Sequence, residues 1–350
     1  MIKPLTSLRF FFALMVFASH LSFFQNSHSE NLKWIFLSIM KEGYLGVSFF
    51  FILSGFILAY NYQGKFLIKN YPVKQFYIAR FARIYPLHFL TFLISIPFIY
   101  GSTIFSDVLI FKSITNLTLT QSFIPIKGVY FSFNAPSWSI SNEMFFYLLF
   151  PFIVGAIYAL KKKWYILLII FSLIPIASLL IPSDYYHQLF YINPIARIFD
   201  FAIGLSLYNL YVHLKTNVKT FNYNYLEISA VVLFIIFFYF HSDMPKVSRY
   251  SFYYWLPMSL IIIAFSFQKG FISKFLSHKL FIYLGEISFG IYMYHHLVMR
   301  YFKPLNAKFL GIENDLFSAA LILIISLLVS HWSFKYFETP MNSYLKRRFN

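Results

Sequence analysis

The chain has 350 residues, of which 59% are hydrophobic and 12% are charged, and its mean hydropathy is +0.65. Soluble globular proteins carry roughly 25% charged residues, and apolar stretches long enough to cross a bilayer recur along this sequence, so a soluble protein is excluded. The absence of cysteine excludes disulfides, thiolate metal sites and a cysteinyl thioester intermediate. The formal charge of +17 accompanies no nucleic-acid-binding motif, so no nucleic acid is expected as a partner.

The hydropathy pattern predicts an all-α polytopic integral membrane protein, with about ten transmembrane helices around a membrane-embedded cavity. Residues 1–350 are expected to form one transmembrane domain, since no repeat and no change in composition marks a boundary. The predicted spans are 8–24, 43–60, 84–101, 137–160, 164–181, 195–212, 225–241, 252–267, 281–300 and 317–334. Most of the 29 basic residues fall in segments that are cytoplasmic when the N-terminus is inside, which predicts two cytoplasmic termini.

The first span begins with RFFFALMVFASH, which carries Arg9 at its inner end and His20 at its outer end. Eleven residues complete three turns plus about 20°, so both side chains lie on one helix face, about 16 Å apart along the axis. Both could instead extend to the two membrane interfaces. Polar residues at membrane depth usually face a cavity, and imidazole titrates near neutral pH, so His20 is a candidate general base.

The second span contains GYLGVSFFFILSGF, which is rich in small residues. Gly43, Gly46, Ser54 and Gly55 allow close approach of neighbouring helices, and packing alone could explain them. The order of glycines, aromatic residues and LSGF is nevertheless more particular than packing requires.

A pair of arginines follows in RFARIYP, at the cytoplasmic edge of the third span. Arg80 and Arg83 are three residues apart and therefore neighbours on one helical turn. Two adjacent guanidinium groups suit a phosphorylated ligand, which they bind through charge-assisted and often bidentate hydrogen bonds. The alternative is that both residues serve only the positive-inside rule and contact anionic lipid headgroups.

Two more titratable residues fall within apolar sequence. Glu143 in PSWSISNEMFFY shares a helix face with Ser139, and His295 lies in the outer half of the ninth span. Each needs a polar partner or a cavity, and either could simply be a buried side chain bonded to a neighbouring helix. With His20 they are expected to share the outer half of the protein, whereas the arginines lie at the inner face. This arrangement suits a phosphorylated donor from the cytoplasm and proton chemistry nearer the opposite side.

Together these motifs resemble the acyltransferase-3 family of membrane O-acyltransferases over nearly the whole chain. The matching residues are Arg9 and His20 of an R-x10-H motif, Gly46 to Phe56 of a GVxxFFxLSGF-like segment, Arg80, Arg83, Ile84 and Pro86 of RxxRIxP, Trp138, Ser139, Glu143, Phe146 and Tyr147 of WSLxxExxFY, Leu284, Gly285, Ser288, Tyr292 and His295 of LGxxSYxxYLxH, and Glu338 and Pro340 of ExP. The departures are Ile140, Phe289 and Met293, and none of them removes a titratable group.

The resemblance implies transfer of an acyl group, commonly acetyl from acetyl-CoA, to a hydroxyl of a surface carbohydrate or a small molecule. By the resemblance His20 is the essential histidine, and Arg80 and Arg83 belong to the donor-binding region. We further expect Arg9 to bind the donor with them, Glu143 and His295 to take part in catalysis, and Trp138, Ser139 and Tyr147 to bind the acceptor, with no metal. His20 is expected to act as the base or to accept the acyl group itself.

We therefore expect an O-acetyltransferase of the bacterial cytoplasmic (inner) membrane that acts on a cell-surface polysaccharide or lipid-linked saccharide. The chain ends shortly after the tenth predicted span, so no appended extracytoplasmic hydrolase-like domain is expected. It either acylates the acceptor directly or passes the acyl group to a separate extracytoplasmic transferase. The alternative function is a transporter or flippase for a lipid-linked saccharide, against which the absence of two related halves counts.

Overall fold

The computed structural model describes residues 1–68, 71–99, 107–217 and 222–349. Within these ranges every regular element is a helix and none is a strand, which confirms the all-α prediction. The α-helices are α1 (Lys3–Ser19), α2 (Glu30–Ser38), α3 (Gly46–Leu58), α4 (Gly64–Ile68), α5 (Val73–Ser95), α6 (Asp107–Leu117), α7 (Lys127–Tyr130), α8 (Trp138–Ala159), α9 (Trp164–Leu180), α10 (Pro194–Asn217), α11 (Tyr223–Tyr239), α12 (Lys246–Arg249), α13 (Trp255–Ser266), α14 (Phe271–Leu276), α15 (Lys279–Glu286), α16 (Ser288–Leu305), α17 (Asp315–Ser333) and α18 (Thr339–Phe349). Short 3₁₀ and π turns continue or join several of them.

Seven helical segments of the described chain are long and apolar enough to cross a membrane. They are Lys3–Asn26, Glu30–Ile68, Val73–Phe98, Ala135–Lys162, Pro194–Asn217, Tyr223–Asp243 and Asp315–Phe349. The apolar helices Trp164–Leu180 and Phe252–Ser266 are shorter, and the predicted span 281–300 corresponds to α15 and α16, which are separated at Ile287. The polytopic membrane class is confirmed, whereas the number of ten crossings stays a prediction.

Some sequence predictions fall partly outside the structure. Residues 100 and 101 of the third predicted span lie outside the described residues, as do Lys69 and Lys219, two of the basic residues assigned to the cytoplasm. The third predicted span also begins later than the helix that contains it, because α5 starts at Val73. The polar residues Lys74, Arg80 and Arg83 are therefore helical as well.

Glycines bring α1 into backbone contact with its neighbours. A Cβ on Gly43 would lie 1.9 Å from the carbonyl oxygen of Met15, and a Cβ on Gly285 would lie 1.9 Å from that of Thr6. Neither position has room for a side chain, which agrees with the close packing expected of small residues in membrane helices. α1 is therefore held on two sides, by the turn before α3 and by α15.

A second glycine contact joins α3 to α10. A Cβ on Gly55 would lie 2.0 Å from the carbonyl oxygen of Phe201, and a Cβ on Gly204 would lie 2.0 Å from that of Ile52. The two helices therefore cross at backbone distance. This contact fixes the position of the neighbouring Ser54, which faces the cavity described below.

A buried ion pair ties α10 to the segments around it. Arg197 Nη2 lies 2.8 Å from Asp200 Oδ2, and both side chains are fully buried, which agrees with the spacing of these residues in the sequence. Arg197 also donates to Ser48 Oγ at 2.7 Å and to the carbonyl oxygen of Tyr250, while the indole N–H of Trp255 donates to Asp200. Both charges are therefore compensated inside the protein.

Removing one member of this pair is expected to destabilise the fold strongly. Arg197→Met leaves the Asp200 carboxylate buried without its counter-charge, which costs about 3–5 kcal/mol. Thermal unfolding in detergent should show a clearly lowered Tm, and the double variant Arg197→Met, Asp200→Leu should recover most of the loss. Equal stability of the single variant and the natural protein would contradict this interpretation.

Candidate active site

A cavity of about 200 Å³ lies among α1, α3, α5, α8 and α16. Its wall consists of Arg9, Val47, Phe50, Phe51, Leu53, Ser54, Ile57, Leu58, Arg80, Arg83, Ile84, Ser139, Ile140, Glu143, Tyr147, Ser288, Phe289 and Tyr292. Six of the predicted site residues are thus brought together, although they come from three separate motifs. Three guanidinium groups and one carboxylate line the cavity, so positive charge is in excess.

The three arginines have few partners of their own. No carboxylate oxygen of the described residues lies within 4.0 Å of Arg9, Arg80 or Arg83. The side chains of Arg9 and Arg83 donate no hydrogen bond to any described residue. Arg80 donates to the hydroxyl of Tyr62 at 3.2 Å, but its buried Nε has no partner. Unpaired guanidinium donors at a cavity wall are suited to binding an anion.

Aromatic rings hold two of these guanidinium groups in place. The Arg80 guanidinium carbon lies 5.2 Å from the ring centre of Tyr62 and 5.9 Å from that of Tyr147. Arg83 lies 5.9 Å from the ring centre of Phe289. Cation–π contacts of this kind orient a guanidinium without using its N–H donors.

Glu143 occupies the cavity wall rather than the neighbourhood of the histidines. It accepts hydrogen bonds from Ser54 Oγ at 3.2 Å and from the hydroxyl of Tyr147. No hydrogen bond joins it to His20 or His295 in the described ranges. The i, i+4 hydroxyl of Tyr147 and the facing Ser54 hold the Glu143 carboxylate at the wall that the arginines also line. The shared depth of Glu143 and the two histidines stays a prediction.

Glu338 is a second carboxylate near the arginines, and the sequence analysis assigned it no role. It is 7% exposed and accepts a hydrogen bond from Ser333 Oγ at 3.2 Å. It lies within electrostatic range of Arg83 and Arg9 without forming an ion pair with either. In the sequence, only its place in FETP directly after the last predicted span marks Glu338 as a candidate site residue.

His20 and His295 form a hydrogen-bonded pair. His20 terminates α1, and its Nδ1 lies 3.0 Å from Nε2 of His295 on α16. Nδ1 of His295 lies 3.0 Å from the carbonyl oxygen of Ile291. A carbonyl oxygen only accepts, so this nitrogen of His295 carries the hydrogen, and its Nε2 accepts from His20. The neutral His20 ring then keeps a free lone pair on Nε2.

The histidine pair adjoins the arginine cavity but does not line it. Tyr292 does line the cavity, and its hydroxyl is hydrogen-bonded to Ser139 Oγ at 2.7 Å. The ring centre of Tyr292 lies 6.0 Å from that of His295. Tyr292 is therefore the residue at which the two parts of the site meet. It was noted in the sequence only as a motif position.

Trp138 is the one predicted site residue that lines neither part. It is 4% exposed and packs against the rings of Phe51 and Tyr191, at ring-centre distances of 6.4 and 4.8 Å. Its predicted role in acceptor binding stays a prediction.

A third imidazole lies near the histidine pair. The ring centre of His296 is 5.8 Å from that of His20. The described residues nevertheless include no group of three or more His, Asp or Glu placed to hold a metal ion.

Comparison with known proteins gives the same family as the motifs. A family model described as an acyltransferase domain matches residues 3–334. Acyltransferase MdmB of Streptomyces mycarofaciens is 28% identical over 334 residues, which cover 89% of this chain and 82% of MdmB. Peptidoglycan O-acetyltransferase OatA of Listeria monocytogenes is 24% identical over 369 residues. No solved structure matches significantly.

The two relatives differ in how much of their length is matched. The OatA alignment covers 97% of this chain but only 56% of OatA, so the chain spans little more than half of that protein. The family match nevertheless extends over all the motifs that form the cavity and the histidine pair. The chain therefore belongs to the acyltransferase-3 family and is a multi-pass membrane acyltransferase.

Proposed function

We propose that the protein transfers acetyl from cytoplasmic acetyl-CoA to a hydroxyl of a cell-surface polysaccharide or of its lipid-linked precursor. Three guanidinium groups without carboxylate partners, beside a pair of hydrogen-bonded imidazoles, support this activity most strongly. The activity in the name of peptidoglycan O-acetyltransferase OatA supports a saccharide as the acceptor. The distribution of basic residues supports two cytoplasmic termini, and the bacterial relatives support the bacterial inner membrane.

The arginines would bind the phosphate groups of the donor. Arg80 and Arg83 lie in the N-terminal half of α5 and Arg9 in the N-terminal half of α1. In the proposed topology both halves are on the cytoplasmic side. Phosphate oxygens would accept the guanidinium hydrogens that have no partner among the described residues. The acyl end of the donor would then extend along the cavity toward Tyr292 and the histidine pair.

His20 would act as the base that activates the acceptor. Its Nε2 takes the proton of the sugar hydroxyl, and the hydroxyl oxygen forms a bond to the thioester carbonyl carbon. The carbon–sulfur bond then breaks, and the leaving thiolate takes the proton back from the imidazolium. The products are an O-acetyl ester and free CoA, and no proton is gained or lost. A covalent route, in which His20 first accepts the acetyl group, uses the same nitrogen.

His295 would position His20 rather than contact the reacting atoms. His295→Ala removes the acceptor for the His20 N–H, and the loss of orientation is expected to lower kcat by about a hundredfold. The KM for acetyl-CoA should stay unchanged because the arginines are intact. His295→Gln should restore part of the rate, since an amide oxygen can accept the same hydrogen bond. The pH dependence of kcat of these variants should differ from that of the natural protein. A fall in kcat that His295→Gln does not relieve would contradict the positioning role.

Mass spectrometry of surface glycans tests the function directly. Deleting the gene should remove acetyl groups and leave the polymer in place, because the enzyme only modifies it. A transporter or flippase would instead be required for the polymer to reach the surface. Absence of the polymer itself from the surface would overturn the proposal.

A further inference from the structure

A second cavity, of about 400 Å³, lies away from the arginines. Its wall consists of Pro125, Lys127, Tyr130, Phe131, His187 and Gln188. These residues come from two connections, the one that leads into α8 and the one between α9 and α10. We call it the connection cavity. Nothing in the mechanism above uses it.

Several polar groups of the connection cavity have no partner in the part of the chain that the structure describes. The ammonium of Lys127 and the side-chain amide of Gln188 form no hydrogen bond or ion pair with the described residues. Nδ1 of His187 lies 3.3 Å from the hydroxyl of Tyr130, which leaves the other ring nitrogen free. Burial and the nearby Lys246 and Lys127 lower the pKa of His187 to about 4, so its ring is neutral near pH 7. The cavity thus offers a cation, an amide and a neutral imidazole.

Aromatic rings form the rest of the wall. The ring centre of Phe131 lies 4.6 Å from that of Tyr130 and 5.9 Å from that of His187. An aromatic wall with a few convergent polar groups is typical of small-molecule sites. Sugars fit this combination because they present hydroxyl groups together with apolar C–H faces.

One wall of the connection cavity belongs to a segment that contacts α16 close to the histidine pair. The chain continues from Phe131 to Asn134, whose amide donates to the carbonyl oxygen of Met293 at 2.9 Å, and Met293 is two residues before His295. With consecutive Cα atoms 3.8 Å apart, this path places Phe131 no more than about 30 Å from His295. Several sugar units of one chain can cover such a distance.

The connection cavity is positively charged. Lys127 lines the cavity, and Lys246 lies within electrostatic range of His187. Among the salt bridges of the described residues, none engages either lysine. An anionic group in the ligand would complement both ammonium groups.

We propose that the connection cavity binds an anionic stretch of the acceptor saccharide, carrying carboxylate or phosphate groups, several units away from the hydroxyl that is acetylated. This inference rests on the proposed function, because it assigns the acceptor of the same enzyme. It places the repeating charge of the polymer on Lys127 and a sugar face against Phe131. The site thereby selects the polymer, whereas His20 acts on a single hydroxyl.

The test uses the full chain in phosphatidylcholine nanodiscs and measures binding of two anionic probes, oligogalacturonate hexamer and mannopentaose 6-phosphate. The neutral hexamer of N-acetylglucosamine is the comparison. At least one anionic probe should bind more tightly than the neutral one. Lys127→Glu should weaken that binding about three- to tenfold, and Phe131→Ala should weaken it as well. The matched control is Lys308→Glu, an exposed lysine on another outer segment, which should leave binding unchanged.

CoA binding, measured on the same samples, separates this inference from the proposed function. Lys127→Glu should keep CoA affinity, and Arg83→Ala should lose it while keeping saccharide affinity. Binding of saccharide without binding of CoA would support the cavity and overturn the donor site. Equal effects of Lys127→Glu and Lys308→Glu, or no binding of either anionic probe, would overturn the inference. The inference would also be overturned if Lys127 determined affinity for phosphatidylglycerol nanodiscs and the saccharides did not compete for that binding. The ligand would then be a lipid headgroup.

Discussion

His20→Ala is expected to lower acetyl transfer to the saccharide acceptor by about a hundredfold to ten-thousandfold, the usual contribution of a general base. The reason is that Nε2 of His20 is the free nitrogen of the histidine pair, while Nδ1 is occupied by its bond to His295. Donor affinity should be unaffected because the arginines are not altered. Surface glycans of a strain carrying the variant should lack acetyl groups.

His28→Ala is the matched control for this experiment. His28 is exposed and follows α1 by only a few residues, and it lies in neither part of the site. It should leave the rate unchanged. Labelled acetyl-CoA also distinguishes the two routes, since a covalent intermediate would retain label on the natural protein and not on His20→Ala. Unchanged acetylation in a stably expressed His20→Ala strain would refute the proposed role.

Arg83→Ala is expected to raise the KM for acetyl-CoA about tenfold to a hundredfold. This corresponds to the loss of charge-assisted hydrogen bonds worth about 1.5–3 kcal/mol. Arg83 has no carboxylate partner within 4.0 Å among the described residues, so its removal breaks no ion pair. Glu338 loses one longer-range interaction with Arg83 but keeps its hydrogen bond from Ser333. The effect should therefore appear in donor affinity and not in stability.

Two variants show whether the effect comes from the guanidinium itself. Arg83→Lys keeps the charge but not the bidentate geometry, so it should recover only part of the affinity. Arg348→Ala removes an exposed positive charge from α18 and should have no effect. If both alanine variants changed the KM equally, net charge rather than this site would determine donor binding.

The sequence was sufficient for the fold class and for most members of the site. Arg9, Arg80, Arg83, Ser139, Glu143 and Tyr147 were all selected from motifs, and all of them line one cavity. Helical periodicity and the cost of burying charge in a bilayer are local properties, so they can be read from short stretches of chain.

The relative placement of these residues could not be predicted in the same way. The sequence predicts Glu143 in the outer half with His20, whereas its place at the wall of the arginine cavity depends on where α8 packs against α3 and α5, which no local pattern encodes. The pairing of His20 with His295 joins residues 275 positions apart. Ser54 was interpreted as a packing residue, because its bond to Glu143 is visible only once Gly55 has fixed the contact of α3 with α10.

The backbone contacts of α1 have a consequence for the choice of donor. Arg9 lies within this helix and His20 ends it, so their separation along the axis is about 16 Å, at about 1.5 Å for each of eleven residues. The backbone contacts at Gly43 and Gly285 hold the helix close to its neighbours. On the proposed mechanism the enzyme accepts a thioester only when the span from its phosphates to its carbonyl carbon matches that length, so a truncated carrier would be rejected even though it bears the same acetyl group.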